Sequence, residues 1–317
     1  MRYRSVDEVL AAATFGGEFE GFLRRGGSPI PLASLLRERG DGQQIPLRDG
    51  AVPAGNIVGE AGDAQFEAHC PVFTIGTVAA AMAVFERGLA AAMPDCELMW
   101  TNRTPDWPPR LVAGLDRKPR YIALADAVTQ LAGRVEGMTI LERSAGHSSF
   151  QLHMAIPGLT EDFFTKFGVV ISNAFTFQAD EFADEAGRRF DPGYEPGRRQ
   201  SCWGQALSIN RGPSITLYRS PAELAADWLS IHRLIRPVDD GYIVDLSCPE
   251  SLEEVRQTAL YGTVWRLVRF SPACADKPAT FEIRIWGSLP PRAIPWLFER
   301  QIVPALRGAV SRWLASI

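Results

Sequence analysis

Residues 226–247 read Ala-Asp-Trp-Leu-Ser-Ile-His-Arg-Leu-Ile-Arg-Pro-Val-Asp-Asp-Gly-Tyr-Ile-Val-Asp-Leu-Ser. From Asp227 to Ile235 the chain alternates, which predicts a strand. Trp228, Ser230, His232 and Leu234 share one face, and Asp227, Leu229, Ile231 and Arg233 share the other. Asp239-Asp240-Gly241 is a turn signal, and Tyr242–Leu246 supplies the returning strand. The stretch therefore predicts an antiparallel hairpin.

Working outward, Ala206–Ile209, Ser214–Tyr218, Thr263–Phe270 and Phe281–Trp286 also read as strands, and short links between successive strands predict a meander. Upstream, Met138–Arg143 and Phe150–Ile156 read as two more, with Phe150, Leu152, Met154 and Ile156 on one face. A short helix is expected over Thr160–Phe167, and the polar run Gln178–Gln200 reads as a long connection. The chain closes on a helix from Pro291 to Leu314. Its Ile294, Leu297, Phe298, Ile302, Leu306, Ala309, Val310 and Trp313 form an apolar stripe. Pro304 inside it cannot donate to the carbonyl of Arg300, so a kink is expected there. The order of elements predicts an α+β protein of the helix-grip kind, in which a curved antiparallel sheet wraps a long C-terminal helix. The space between sheet and helix is where a ligand cavity is expected.

The first 120 residues are harder to place. Ser5 can cap a helix through Val9 and Leu10, and Leu32–Arg37 reads as another. Gly26-Gly27-Ser28-Pro29, Gly40-Asp41-Gly42 and Asp49-Gly50 are turn signals between and after them. Helices are expected over residues 77–93 and from Ile122 to Val135. The expected organisation is an extension of short helices and loops over 1–120, followed by a ligand-binding domain over 121–317.

Composition removes several classes of function. The chain has 317 residues, 22% of them charged, with a net charge of −4 and a pI of about 5.7. That leaves no basic field for nucleic acid. Five cysteines, odd in number and widely spaced, argue for free thiols and a cytoplasmic setting. The N-terminus lacks a signal-peptide core, and the apolar run Cys70–Phe85 is too short to span a bilayer. No GxSxG, Walker A or HExxH pattern occurs. The four histidines, His69, His147, His153 and His232, show no metal-ligand spacing. No metal, cofactor or catalytic set is therefore expected from spacing.

Four segments in order resemble the START family of lipid-transfer domains. Ala226–Arg233 is similar to that family's Arg-Asp-Phe strand, and Gly241–Ser247 to its hairpin partner. Val255-Arg256 with Tyr261-Gly262-Thr263-Val264-Trp265 resembles its Val-Arg and Gly-Trp segment. Trp286-Gly287-Ser288-Leu289-Pro290 resembles the Gly-x-Leu-Pro signature before the last helix. The likeness covers about Ala125 to Ile317. It implies a carrier or sensor of one hydrophobic small molecule (a lipid, a sterol or a polyketide-like compound), with transient membrane contact during loading. Trp228, Ser230 and His232 would line the cavity from the sheet, Tyr218 would stand beside His232, and Phe298 and Ile302 would close it from the helix. The alternative is an enzyme of the polyketide cyclase/aromatase type on the same fold, using His232 as general acid/base.

Overall fold

The computed structural model describes residues 3–59, 65–101, 119–134, 148–191, 194, 217–260, 266–274 and 277–317. The fold is α+β, with a large antiparallel sheet, several helices and a helical C-terminus.

The sheet is organised by its longest strand, β1 (Thr14–Arg25), which follows α1 (Val6–Ala12). Ser5 caps α1 as expected, accepting from the Glu8 amide. A tight turn joins β1 to β2 (Ser28–Pro29), and α2 (Leu32–Arg39) follows. Strands β3 (Gln44–Asp49), β4 (Val52–Gly59) and β5 (Gln65–His69) come next. A one-turn 3₁₀ helix leads into α3 (Val78–Ala92), and β6 (Glu97–Met99) returns to the far end of β1. After α4 (Pro119–Ala132), β7 (Ser149–Ala155) pairs with β1.

The second half supplies α5 (Lys166–Phe177), α6 (Ala179–Phe190), α7 (Pro221–Leu229), the hairpin β8 (Leu234–Val238) and β9 (Gly241–Asp245), and α8 (Leu252–Leu260). Strands β10 (Val268–Ser271) and β11 (Thr280–Gly287) complete the sheet. The principal strand order is β10-β11-β7-β1-β5-β4-β3, with β2 and β6 also on β1, and all these pairings are antiparallel.

Six of the nine strands thus come from residues 1–120, where short helices and loops were expected. Gly17 and Gly21 lie inside β1 because aromatic rings fill the space a side chain would take. A Cβ at Gly17 would sit 2.9 Å from the rings of Phe150 and Phe19, and one at Gly21 would sit 2.8 Å from Phe66. These glycines are sites of close ring packing, not breaks.

The apolar side of the sheet carries Phe15 and Phe19 from β1, Phe66 and Ala68 from β5, Phe150, Leu152 and Met154 from β7, and Phe281 and Ile283 from β11, all buried. Helices cover it. α3 packs on β3 and β4, α5 on β10 and β11, and α6 on β11. In β11 the register shifts between Ile283 and Trp286, so one residue more than on β7 is accommodated. This bulge returns Trp286 to the apolar side, 5.8 Å from the Phe150 ring.

Several expectations need correction. Pro221–Leu229 is a helix, not the start of a strand. Ser220 caps it by accepting from the Glu223 amide, Pro221 stands in the first turn, and Glu223 reaches back to the Arg219 amide. The serine cap, the proline in the first turn and the Glu223 contact together outweigh a weak alternation. The hairpin over β8 and β9 forms as expected but makes its own two-stranded sheet, against α4. The polar run after Gln178 begins as α6, with Asp180 and Glu181 in its first turn and Arg188 and Arg189 in its last. Val255-Arg256 lies in α8. Met138–Arg143, Ala206–Ile209, residues 214–216, residues 263–265 and His147 lie outside the described residues.

The C-terminal helix begins with a 3₁₀ turn at Pro291–Ala293 and continues through α9 (Ile294–Leu297), a π-helical turn Phe298–Ile302 and α10 (Val303–Leu314). The irregularity lies just before Pro304, where the missing N–H was expected to disturb the ladder. Among the described residues, Ile75–Ala92 is the one helical stretch long and apolar enough to cross a membrane by length and composition. Only 28% of that window is buried.

Candidate functional site on the polar side of the sheet

Side chains alternate across a strand, so the sheet has a second side. β1 places Glu18 and Glu20 there, flanked by Glu67 and His69 of β5 and by Ser149, Gln151 and His153 of β7. Glu282 and Arg284 of β11 and Arg269 of β10 extend the band. The register sets Glu18 opposite both His69 and Gln151, Glu20 opposite Glu67, and Glu282 opposite both His153 and Arg269. Gly55 of β4 brings the backbones together beside His69. It holds a φ of +116°, and a Cβ there would lie 2.0 Å from the His69 carbonyl oxygen.

The groups are tightly connected. Glu20 accepts from the Ser149 amide at 2.7 Å, the Ser149 hydroxyl at 3.0 Å and the Gln151 amide group. Glu282 is 1% exposed and takes a forked pair of 2.7 Å contacts from Arg269, with Arg284 Nε 3.2 Å from its other oxygen. His69 Nε2 lies 2.6 Å from Glu67 Oε1. His153 Nδ1 is 3.1 Å from Thr280 Oγ1, and its Nε2 is 3.1 Å from Glu18 Oε1.

This crowding shifts the acid–base equilibria. Burial opposes charge on His153, but Glu18 and then Glu282 outweigh it, and its pKa is raised. Burial likewise opposes charge on His69, and Glu67 and Glu18 raise it. For Glu18 the burial penalty is overcome by His153, His69 and Arg269, so its pKa is lowered. Glu282 is also lowered: burial acts against it, and Arg269, Arg284 and His153 prevail.

Because the carboxyl pKa values are lowered, their contribution to stability is present above the ordinary value of 4.5 and is lost as pH falls below it. Because the histidine pKa values are raised, theirs is complete below the ordinary 6.5 and is lost as pH rises through the raised values. Metal-free protein should therefore be most stable between these limits, and its melting temperature should fall on going from pH 6 to alkaline buffer. His153→Gln should flatten the alkaline limb; an unchanged limb in that variant would remove His153 from the explanation.

The residues expected from the sequence are placed elsewhere. Trp228 is 1% exposed and packs edge-on to Phe163 and Phe164, with ring centroids at 4.8 and 5.7 Å. Ser230 follows the end of α7, its hydroxyl donating to the Asp227 carbonyl. His232 is half-buried, and its Nδ1 lies 2.6 Å from the Leu246 carbonyl oxygen. Tyr218 donates to Asp227, which also binds Arg266, and not to His232; burial, then Asp227, raises its pKa. Phe298 packs against Phe15 at 4.9 Å and Phe73 at 5.4 Å, and Ile302 is fully buried. Tyr218 and Ser230 share Asp227, while Trp228, His232 and Phe298 contact other groups.

Two further features bear on chemistry. Cys70 stands beside the His69 cluster in sequence, but its Sγ accepts from the Gly17 amide at 3.1 Å, and burial pushes its thiol up to about 12. That is an inert thiol. An open groove of about 580 Å³ is lined by Glu181, Asp184, Glu185, Arg188, Arg189 and Trp296. Its charges are largely spent on one another: Arg188 pairs with Asp184 at 3.2 Å, Arg189 lies over the Trp296 ring, and Glu185 receives the Gln301 amide.

The polar band was missed because its members are scattered along the chain. Alternation in Ser149–Ala155 puts His153 opposite Leu152, and the same alternation in Gln65–His69 puts Glu67 and His69 on one side. Only the pairing of both strands with β1 brings these residues together. No protein-family model matches the chain, and no curated protein matches its sequence.

Proposed function

We propose that this protein is a ligand-binding module whose ligand is held on the polar side of the sheet, around Glu18, His69 and His153. One observation carries the reading. The Glu18 carboxylate receives an imidazole from one neighbouring strand at 3.1 Å and shares a cluster with an imidazole from the other. Charged groups at low exposure cost free energy unless paired. A sheet side covered only for packing reasons favours apolar residues. Clustered ionisable groups with shifted pKa values are the usual mark of a working site. Such a band suits a small, polar, cation-bearing ligand.

The carrier reading raised by the START resemblance, with an apolar ligand between sheet and C-terminal helix, is a proposal about a different place in the same fold. The two separate in one experiment. Native mass spectrometry of the purified full-length protein, with organic extraction, identifies any co-purifying molecule, and thermal shift against polar cationic and lipid panels supplies candidates otherwise. A ligand whose affinity falls tenfold or more in Glu18→Gln and His69→Gln supports the polar side. A lipid retained by both variants but lost from Trp228→Ala or Phe298→Ala overturns that reading in favour of the helix-grip carrier.

A further inference from the structure

We propose that Glu18, Glu67 and His69 form a three-ligand site for one divalent transition-metal ion, with His153 orienting Glu18. The inference rests on the polar side of the sheet being the binding side.

The three donor atoms, one from each residue, lie within 4.8 Å of one another. Ligands bound at roughly 2.0–2.2 Å around a tetrahedral ion stand about 3.4 Å apart. Closing that gap needs only small side-chain rotations. The backbones barely need to move, because all three residues sit on paired strands: Glu18 is the register partner of His69, and Glu20 that of Glu67. Sites on paired strands hold geometry better than sites on loops.

The donor set selects the ion. Two carboxylates and an imidazole suit zinc, iron or manganese better than calcium or magnesium, which prefer oxygen alone. The nearest thiol, Cys70, is occupied by the Gly17 amide. The three ligands are all partly exposed, which leaves coordination positions for water or a ligand.

His153 stands behind the Glu18 ligand. Its Nδ1 is held by Thr280 Oγ1, and its Nε2 is ion-paired with Glu18 Oε1 at 3.1 Å. An oriented imidazole behind a ligating carboxylate is the outer arrangement that tunes metal sites. Binding would displace the proton that His69 Nε2 and Glu67 Oε1 now share at 2.6 Å, releasing it to solvent and freeing both atoms as ligands.

The test uses full-length protein stripped with a chelator, then titrated with Co²⁺ and Zn²⁺ by visible absorption and calorimetry. The expected result is one saturable equivalent of metal per chain. Affinity should fall at least tenfold in His69→Gln and in Glu67→Gln, both of them partly exposed positions where folding is checked by thermal melt. Thr280→Val should weaken binding less, with an altered Co²⁺ spectrum. Absence of saturable binding, or equal affinity in both ligand variants, overturns the inference. An organic ligand that depends on Glu18 while no metal binds would remove the metal and keep the polar-side reading. Loss of both would remove both.

Discussion

Glu282→Ala should destabilise the protein by about 3–5 kcal/mol, among the largest effects of any single substitution here. Glu282 is 1% exposed, and two guanidiniums, Arg269 and Arg284, converge on it, each with only 13% side-chain exposure. Removing the carboxylate leaves two positive charges in low dielectric with their main counter-charge gone. The cost comes from those stranded charges more than from the lost attraction. Equilibrium urea unfolding measures it. The control is Glu282→Met combined with Arg269→Met and Arg284→Met, which should recover part of the loss because the buried carboxylate and the two guanidiniums around it leave together. A single-variant effect below about 1 kcal/mol would show the cluster to be as well hydrated as a surface pair.

Trp286→Ala should cost a similar amount, about 3–5 kcal/mol, for a different reason. The indole is fully buried, between Phe150 at 5.8 Å and Phe175 at 6.4 Å. Its Nε1 donates to Gln301 Oε1 at 2.8 Å. Gln301 is itself 0% exposed and donates to the Phe182 carbonyl and to Glu185. The substitution opens a cavity and strips one acceptor of its donor. Trp286→Phe keeps most of the volume and should lose about 1–3 kcal/mol, chiefly the unsatisfied glutamine oxygen. Should Trp286→Phe cost as much as alanine, the hydrogen bond rather than the packing would dominate. The same glutamine lies within the π-helical turn Phe298–Ile302, fully buried and bonded to both the sheet and α6.

Parts of this fold were legible from sequence because they obey short-range rules. The alternation at Phe150, Leu152 and Met154 gave β7 and its apolar side. Val78, Met82, Phe85 and Leu89 gave α3, and Pro291 marked the start of the last helical run. Helix α7 was misread although its signal, Ser220-Pro221 followed by Glu223, was present. The alternation at Trp228 and Ser230 points to a strand, and the cap signal overrides it. β1 was illegible for a physical reason. Gly16, Gly17 and Gly21 resemble a loop until Phe150, Phe19 and Phe66 fill the space over two of them, and β7 and β5 are far away in sequence. The site was illegible for the same reason. Glu18, His69 and His153 meet only through strand pairing, so spacing along the chain carries no trace of them.

The position of β1 also governs how the chain can be made. Its first six residues pair with Ala155 through Phe150, and the Ser288 hydroxyl closes onto the Glu20 carbonyl from near the other end of the chain. During synthesis, β1 through β5 emerge long before β7 and β11. Until then one edge of β1 presents unpaired backbone, with Phe15 and Phe19 beside it. Such distant pairings slow folding and leave an adhesive edge on the nascent chain. A fragment ending near residue 120 would keep that edge permanently, and should aggregate where the full chain stays monodisperse.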